Sequence, residues 1–201
     1  MAINPVLAAD QDTGELFPLP QAGENFLLKR DGISFTGKLP GGGSLSGKGM
    51  FFMSSSRIVF LANKKSSRPD FKSFEIPFKM IEKSQFKQPI FSANYLHTAV
   101  RPASADAGPL AGGTTTANLY FKNGGCGTFL PLFYTILGII SESEEGTDRD
   151  AEANAAVNNY ISAAAAGQLD KAAYVDPSDP TVLYLAQPTA KAGSEEKVTF
   201  G

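Results

Sequence analysis

The sequence predicts a mainly β, α+β domain closed at its C-terminal end by one amphipathic helix. Three observations carry that expectation. Phe74, Ile76, Phe78 and Met80 alternate with Ser73, Glu75, Pro77 and Lys79, the period-two pattern of a strand with one buried face. Further short apolar runs on both sides are separated by Gly, Ser, Asn and Asp turns, as expected for successive strands. After them, Phe129, Leu132, Phe133, Ile136, Leu137 and Ile140 fall at helical spacing and form one continuous stripe. Strands followed by a single helix that must bury its stripe against them describe a β-structure capped at its end.

In chain order, residues 1–23 carry Pro5, Pro18 and Pro20 with little periodicity and are expected to form a loosely ordered lead-in. Phe26–Lys29 and Ile33–Thr36 read as two strands around Asp31-Gly32, a pair that supplies the positive φ of a tight hairpin. Pro40–Gly47, with four glycines and two serines, reads as a flexible loop. Met50–Leu61 reads as a hairpin turning at Ser54–Ser56. Pro77 cannot donate to a ladder and places its strand at an edge or a bulge. Asn94–Val100 is a further strand, and Ala103–Gly113 a loop. Ala117–Phe121 and Gly127–Phe129 flank Asn123-Gly124, a hairpin signal. In the helix that follows, Thr128 is available as N-cap and Pro131 fits the first turn.

The domain is thus expected over residues 24–141, with residues 142–201 an acidic, Ala-rich tail. One helix is expected there over 148–166, with Asp148, Asp150 and Glu152 at its positive end and Gly167 as its stop. Its inner face is Ala153, Ala156, Val157, Tyr160, Ile161 and Ala164; such small side chains bury little area, so weak docking is expected. The rest of the tail is expected to be disordered, although Thr181–Ala186 forms a strand-like run that could add to an exposed sheet edge.

Composition bounds the function classes. The 201 residues are 42% hydrophobic, which suffices for a core, and no run of about 18 apolar residues exists that would span a bilayer as a helix. The N-terminus lacks a basic segment followed by an apolar stretch, and the single cysteine, Cys126, precludes an intrachain disulfide; a cytoplasmic or nuclear location is the expectation. The net charge of −2 is unevenly spread. Eight basic residues stand against three acidic ones between Arg57 and Lys87, and four against eleven from Ser141 to Gly201.

Catalytic chemistry finds no foothold. Gly42–Gly49 nearly matches a phosphate-binding loop, but Gly49 stands where a magnesium-binding hydroxyl is needed and the following residues read as strand. His97 and Cys126, each the sole residue of its type, lack a third orienting group, and a zinc site would need more ligands. No enzyme, cofactor or metal is expected. The basic cluster Lys64, Lys65, Arg68 and Lys72 could contact phosphates as point charges. Nucleic acid is disfavoured by the acidic overall balance, and Phe71 and Phe74 beside the cluster read as core.

One arrangement is more specific. Gly49-Met50-Phe51-Phe52-Met53 is followed by the serine turn and Arg57-Ile58-Val59-Phe60-Leu61. Next come Phe74-Glu75-Ile76-Pro77-Phe78 and the phrase Lys87-Gln88-Pro89-Ile90-Phe91-Ser92-Ala93-Asn94-Tyr95. This order resembles the GRAM domain of the WW domain-binding protein 2 family over about residues 25–140. The resemblance implies a pleckstrin-homology-like fold of two packed antiparallel sheets capped by the helix, a module that binds rather than catalyses. It also implies an adaptor, of transcription coactivator type, with transcription or signalling proteins as partners in nucleus and cytoplasm. The alternative it implies is a peripheral module that binds phosphoinositide membranes through Lys64, Lys65, Arg68 and Lys72. In the phrase itself, Pro89 and Asn94 suit a turn, Ile90, Phe91 and Tyr95 suit packing, and Lys87, Gln88, Asn94 and Tyr95 are the candidate docking surface. The chain departs from the family in one respect: it holds no Pro-Pro pair, so the Pro-Pro-x-Tyr motifs that bind WW domains are absent and a WW-domain partner is not implied.

Overall fold

The computed structural model describes residues 1–11, 13–63, 70–104, 108–142, 155–160, 162, 173–176 and 179–185. Its strands are β1 (Ala2–Ile3), β2 (Leu7–Ala9), β3 (Leu16–Pro18), β4 (Phe26–Lys38), β5 (Ser44–Ser54), β6 (Arg57–Ala62), β7 (Ser73–Pro77), β8 (Ile81–Lys87), β9 (Tyr95–Val100), β10 (Thr115–Phe121), β11 (Ala173–Asp176) and β12 (Asp179–Leu185). The helix α1 runs over Cys126–Glu142. The molecule is mainly β, as its alternation and turn pattern require.

The expected pair of packed sheets is instead one curled antiparallel sheet in the order β1-β7-β6-β5-β4-β10-β9-β8, with β2 and β3 forming a small second sheet. The continuity comes from the length of the β4–β5 hairpin. On β5, only Gly49–Met53 pair with β6, and on β4 only Ile33–Lys38 pair with β10. The two halves of the sheet are therefore handed over along one long ribbon.

Asp31-Gly32 is not a hairpin turn. β4 runs through it for 13 residues, and its register on β5 jumps from Arg30↔Phe51 to Ile33↔Gly49. One residue is extra on β4, a bulge in which Gly32 takes φ 66. The positive φ that an Asp-Gly pair supplies serves a bulge as well as a turn; what decides is that both flanking runs share β5. A second shift between Phe26 and Leu28 lets neighbouring Leu27 and Leu28 both be buried. Opposite, Gly49 is required by contact: a Cβ there would lie 1.8 Å from the Leu61 carbonyl oxygen.

Asn123-Gly124 likewise ends β10 without starting a strand. Gly124 and Gly125 both have positive φ and re-aim the chain into α1, so Gly127–Phe129 is helical. Thr128 lies inside the first turn instead of capping it; its hydroxyl donates to the Gly125 carbonyl at 3.2 Å and accepts from the buried Arg30 guanidinium. Pro131 falls beyond the first turn for the same reason, because the helix begins at Cys126.

The stripe on α1 does what its spacing predicts. Phe129, Phe133, Ile136 and Ile140 are buried, with Leu132 and Leu137 partly so. Phe129 packs 5.2 Å from the rings of both Phe51 and Phe121, and Phe133 lies 5.7 Å from Phe78. Around Phe35, the rings of Phe60 and Phe74 stand at 4.9 and 5.0 Å. These contacts join both halves of the sheet to the helix in one core.

Three further expectations change. Residues 1–23 are not a loose lead-in: β1 pairs with β7 through Ala2↔Glu75 and Ile3↔Phe74. Leu7 and Phe17 of the β2–β3 hairpin cover an outer cluster of Phe26, Phe52, Val59 and Leu61. β7 has both faces buried, with Ser73 covered as fully as Phe74 and Ile76 and Glu75 nearly so. Pro77 sits at the end of β7, past the reach of β1, where a missing donor disturbs nothing. β8 was not legible as a strand; it ends the sheet and holds only intermediate and exposed residues, including Glu82 and Lys83. Charges of that kind are how proteins keep an edge strand from pairing with other chains.

The tail helix expected over 148–166 is described at 155–160 and 162, where the chain is helical. Of its anticipated inner face, Val157 is fully buried in the main core, whereas Ala156 and Tyr160 are exposed. The strand-like run near 181–186 is realised as β12, which pairs with β11 and with β4.

Candidate functional site

The phrase Lys87–Tyr95 forms the hairpin between β8 and β9. Lys87 is the last residue of β8, Tyr95 the first of β9, and the two face each other in register. The loop between them is tied at its base, where the Phe121 N–H donates to the Asn94 carbonyl at 2.9 Å. At its tip, Ile90 and Phe91 are 90% and 98% exposed. Their expected packing role is therefore wrong. The loop projects away from the sheet and offers them no neighbours, so two large apolar side chains stand in water.

Below the tip, four side chains form a ladder across three strands. Tyr95 stacks on Tyr120 at 4.7 Å; Lys87 Nζ lies 6.0 Å from the Tyr95 ring centre, and Lys122 Nζ 5.8 Å from that of Tyr120. Cations over aromatic faces hold this geometry by the ring quadrupole. One step further, His97 Nδ1 shares a 2.7 Å hydrogen bond with Asn118 Oδ1, and the Asn118 amide donates to Thr36 Oγ1 at 3.2 Å. The anticipated docking residues Lys87, Gln88, Asn94 and Tyr95 are thus brought together, with Gln88 exposed and Asn94 serving through its carbonyl. Sequence reasoning missed Tyr120 and Lys122, which join them only through the Tyr120↔Tyr95 register of β10 on β9.

The basic cluster fares differently. Lys64, Lys65 and Arg68 lie outside the described residues. Lys72 is exposed, and its backbone N–H donates to Asn4 Oδ1 at 2.8 Å.

A third feature was invisible in the sequence. Arg57 is buried and binds Glu24 in a two-pronged pair, Nε to Oε1 at 2.7 Å and Nη2 to Oε2 at 2.8 Å. Nη1 also donates to Glu75 Oε1 at 2.7 Å and Nη2 to the Leu19 carbonyl at 2.7 Å. This network floors a cavity of about 580 Å³ lined by Met1, Glu24, Arg57, Glu75, Met80 and Ile140, among others. Burial pushes the Glu24 carboxyl up, but the bonds from Arg57 and the Gln21 N–H outweigh it and hold the carboxyl below its ordinary value. Both carboxylates already face a guanidinium, so the arrangement fastens the N-terminal segment and is unsuited to proton transfer.

A carboxyl depressed in the folded state adds stability above its unfolded value and loses it as the pH falls through the folded value. Unfolding free energy should therefore decline below about pH 4.5, and Glu24→Gln should flatten that decline. Urea titrations at several pH values measure both; an equally steep acid limb in Glu24→Gln would assign the loss to other carboxyls.

His97 is hydrogen-bonded by Asn118 of β10, and Cys126, in the first turn of α1, has a thiol that burial pushes up. The glycine-rich stretch before Met50 is a turn and the start of β5, which runs on to Ser54 with no helix to receive a phosphate. Among the described residues, no group of three or more His, Cys, Asp or Glu is placed to hold a metal, and no helix is long and apolar enough to cross a membrane.

No family model matches the sequence. The chain is 33% identical over 86 residues to the postacrosomal sheath WW domain-binding protein of Macaca fascicularis, covering 42% of this chain and 31% of that protein. The human protein of the same name matches at 32% over 105 residues, covering 49% of this chain and 32% of the other. Human WW domain-binding protein 2 matches at 33% over 78 residues, 39% of this chain and 28% of that protein. The chain is distantly similar to the WW domain-binding proteins. It spans about a third of the length of these relatives. Among solved structures, a chain of the 8S snRNP assembly intermediate aligns with a TM-score of 0.44 at 11% identity, covering 61% of this chain and 87% of that one.

Proposed function

We propose that this chain is a non-enzymatic adaptor on a GRAM-type, pleckstrin-homology-like scaffold, and that it docks a protein partner through the β8–β9 hairpin. The observation that carries the reading is the exposure of Ile90 and Phe91 at the tip of a loop anchored by Asn94. Folding gains nothing from two large apolar side chains held in water, whereas binding gains from burying them. Lys87 and Lys122 in the ladder below the tip, with exposed Gln88, are polar groups of the kind that rim an apolar anchor at an interface. The names of the similar proteins, which record a protein partner, support an adaptor role. A WW domain is not the proposed partner, because the motif it requires is absent from this sequence. The cellular form of the reading is a coactivator-like protein of nucleus and cytoplasm that meets transcription or signalling factors.

A photo-crosslinking amino acid placed at position 91 of the full chain, in its own cells, should yield discrete protein adducts that the same group at exposed Lys38 does not. Ile90→Ser with Phe91→Ser should abolish partner capture while changing stability by less than about 0.5 kcal/mol, as for surface substitutions. Capture that survives the double substitution would reject the hairpin as the docking surface. Recovery on phosphoinositide vesicles, with no protein adduct, would replace the adaptor by a membrane module.

A further inference from the structure

The sheet has a second face, opposite the core. Residues paired across antiparallel strands point to the same side. Lys87, Tyr95, Tyr120, Ser34 and Lys48 pair in turn across β8, β9, β10, β4 and β5. Their neighbours along the strands, Leu96, Leu119 and Phe35, are buried, so this row faces outward. The next row along the strands includes His97, Asn118 and Thr36, already tied together by hydrogen bonds. In the row beyond it stand Lys83 and Lys38, paired through Ala99 and Thr116. All of these residues are exposed or half-exposed.

The charges on this face have one sign. Lys38, Lys48, Lys83 and Lys87 lie in the rows, Lys122 stands over the Tyr120 ring, and no Asp or Glu shares the rows with them. Among the described residues, none of these lysines makes an ion pair. The carboxylates at the margins are Glu82, to which Thr114 Oγ1 donates at 2.9 Å at the foot of β8, and Asp31 in the β4 bulge. In a chain of net charge −2, such a face draws an anionic partner. Its geometry then selects among anions. Nucleic acid stacks its bases on open aromatic faces, but the Tyr95 ring has Tyr120 against it at 4.7 Å and Lys87 over it at 6.0 Å, and Lys122 covers Tyr120 at 5.8 Å. A bilayer entered by the Ile90-Phe91 tip meets Lys87 and Lys122 but stops short of Lys83 and Lys38, about 13 Å further along the strands. An extended peptide repeats its side chains at the spacing of the strands beneath it, so its carboxylates reach the upper and lower lysines together.

We propose that the outer face of β8, β9, β10 and β4 binds an extended, carboxylate-rich segment of a partner protein, held by Lys87 and Lys122 at its upper end and by Lys83 and Lys38 at its lower end. The stacked tyrosines give this site its rigidity. Tyr95 and Tyr120 brace each other, and each holds a lysine over its ring, so the ammonium groups are placed before the ligand arrives. Opposite charges across the contact supply steering and register more than raw affinity. The site is the sheet face and not the apolar tip, and its test leaves Ile90 and Phe91 unsubstituted.

The test uses the full chain and a labelled synthetic peptide of alternating glutamate and serine, read by fluorescence anisotropy at low salt. The peptide should bind, its glutamine-for-glutamate counterpart should not, and added salt should weaken the binding. Lys87→Glu with Lys122→Glu should lower the affinity about ten-fold or more, and so should Lys83→Glu with Lys38→Glu. Lys65→Glu with Lys72→Glu makes the same change of net charge outside these rows and should lower it less than about two-fold. Unchanged urea midpoints show that the variants remain folded. No binding by the unsubstituted chain, an equal loss in the Lys65 and Lys72 variant, or no loss in the Lys83 and Lys38 variant would overturn the proposal. Tighter binding, through the same lysines, of a single-stranded thymidine oligonucleotide or of phosphatidylserine vesicles would also overturn it.

Discussion

Arg57→Met is expected to lower the folding free energy by about 3–5 kcal/mol, the range for removing one partner of a buried ion pair. The physical cause is what the substitution leaves behind. Glu24 and Glu75 have side chains only 1% and 12% exposed, and Arg57 is the cation that both accept from. Without it, Glu24 must be desolvated with no compensating charge and Glu75 is left with only the Met1 ammonium at 3.8 Å, or the carboxylates take up protons and lose their bonds. Methionine fills the stem's volume, so the loss cannot be blamed on a cavity. The N-terminal segment should feel the change first, since the Leu19 carbonyl and Glu24 are both held by the guanidinium. Urea unfolding of the full chain gives the magnitude, and hydrogen exchange at Leu7–Ala9 and Leu16–Phe17 gives its location. Adding Glu24→Gln to Arg57→Met should restore part of the loss, because it removes the unpaired carboxylate while Glu75 keeps the Met1 ammonium. A single-variant loss below about 1 kcal/mol would mean that the network is solvated and weak, as exposed pairs are.

Which features could be read from the sequence follows from the range of the interactions involved. The α1 stripe was legible because helical spacing alone fixes which side chains share a face, and burial of Phe129, Phe133, Ile136 and Ile140 agrees with it. The β5–β6 turn at Ser55-Ser56 was legible for the same local reason. Asp31-Gly32 was misread because turn chemistry states only that φ is positive; whether the chain reverses there depends on β5, a distant segment. β8 was missed because an edge strand need not alternate, and Glu82 and Lys83 obscure the pattern. Arg57 and Glu75 meet only through the register of β6 on β7, and Glu24 only once the N-terminal segment has folded back. The candidate site shows the same division. Lys87 to Tyr95 stood out as a phrase, but the outward aim of Ile90 and Phe91, and the arrival of Tyr120 and Lys122, are tertiary facts.

Phe129→Ala is expected to cost about 3–5 kcal/mol, the range for truncating a buried phenylalanine to alanine. The ring is fully buried between Phe51 and Phe121 and stacks on Phe133 at 5.3 Å. Its loss removes the transfer free energy of the ring and leaves a hole that the surroundings fill poorly. Two of its neighbours stand on β5 and β10, whose positions are fixed by ladder bonds on either side of β4, so collapse would require the sheet itself to move. The third, Phe133, is on the same helix and cannot close the gap without shifting α1 as a whole. Leu137, on the partly buried flank of the stripe, provides the contrast: Leu137→Ala should lose distinctly less, because part of its surface already faces water. Urea midpoints of the two variants, compared at equal m-values, measure the difference. Equal losses, or a Phe129→Ala loss below about 1 kcal/mol, would mean that α1 does not seat its first turns in the sheet, and the curled scaffold that holds the β8–β9 hairpin in place would have to be closed by something else.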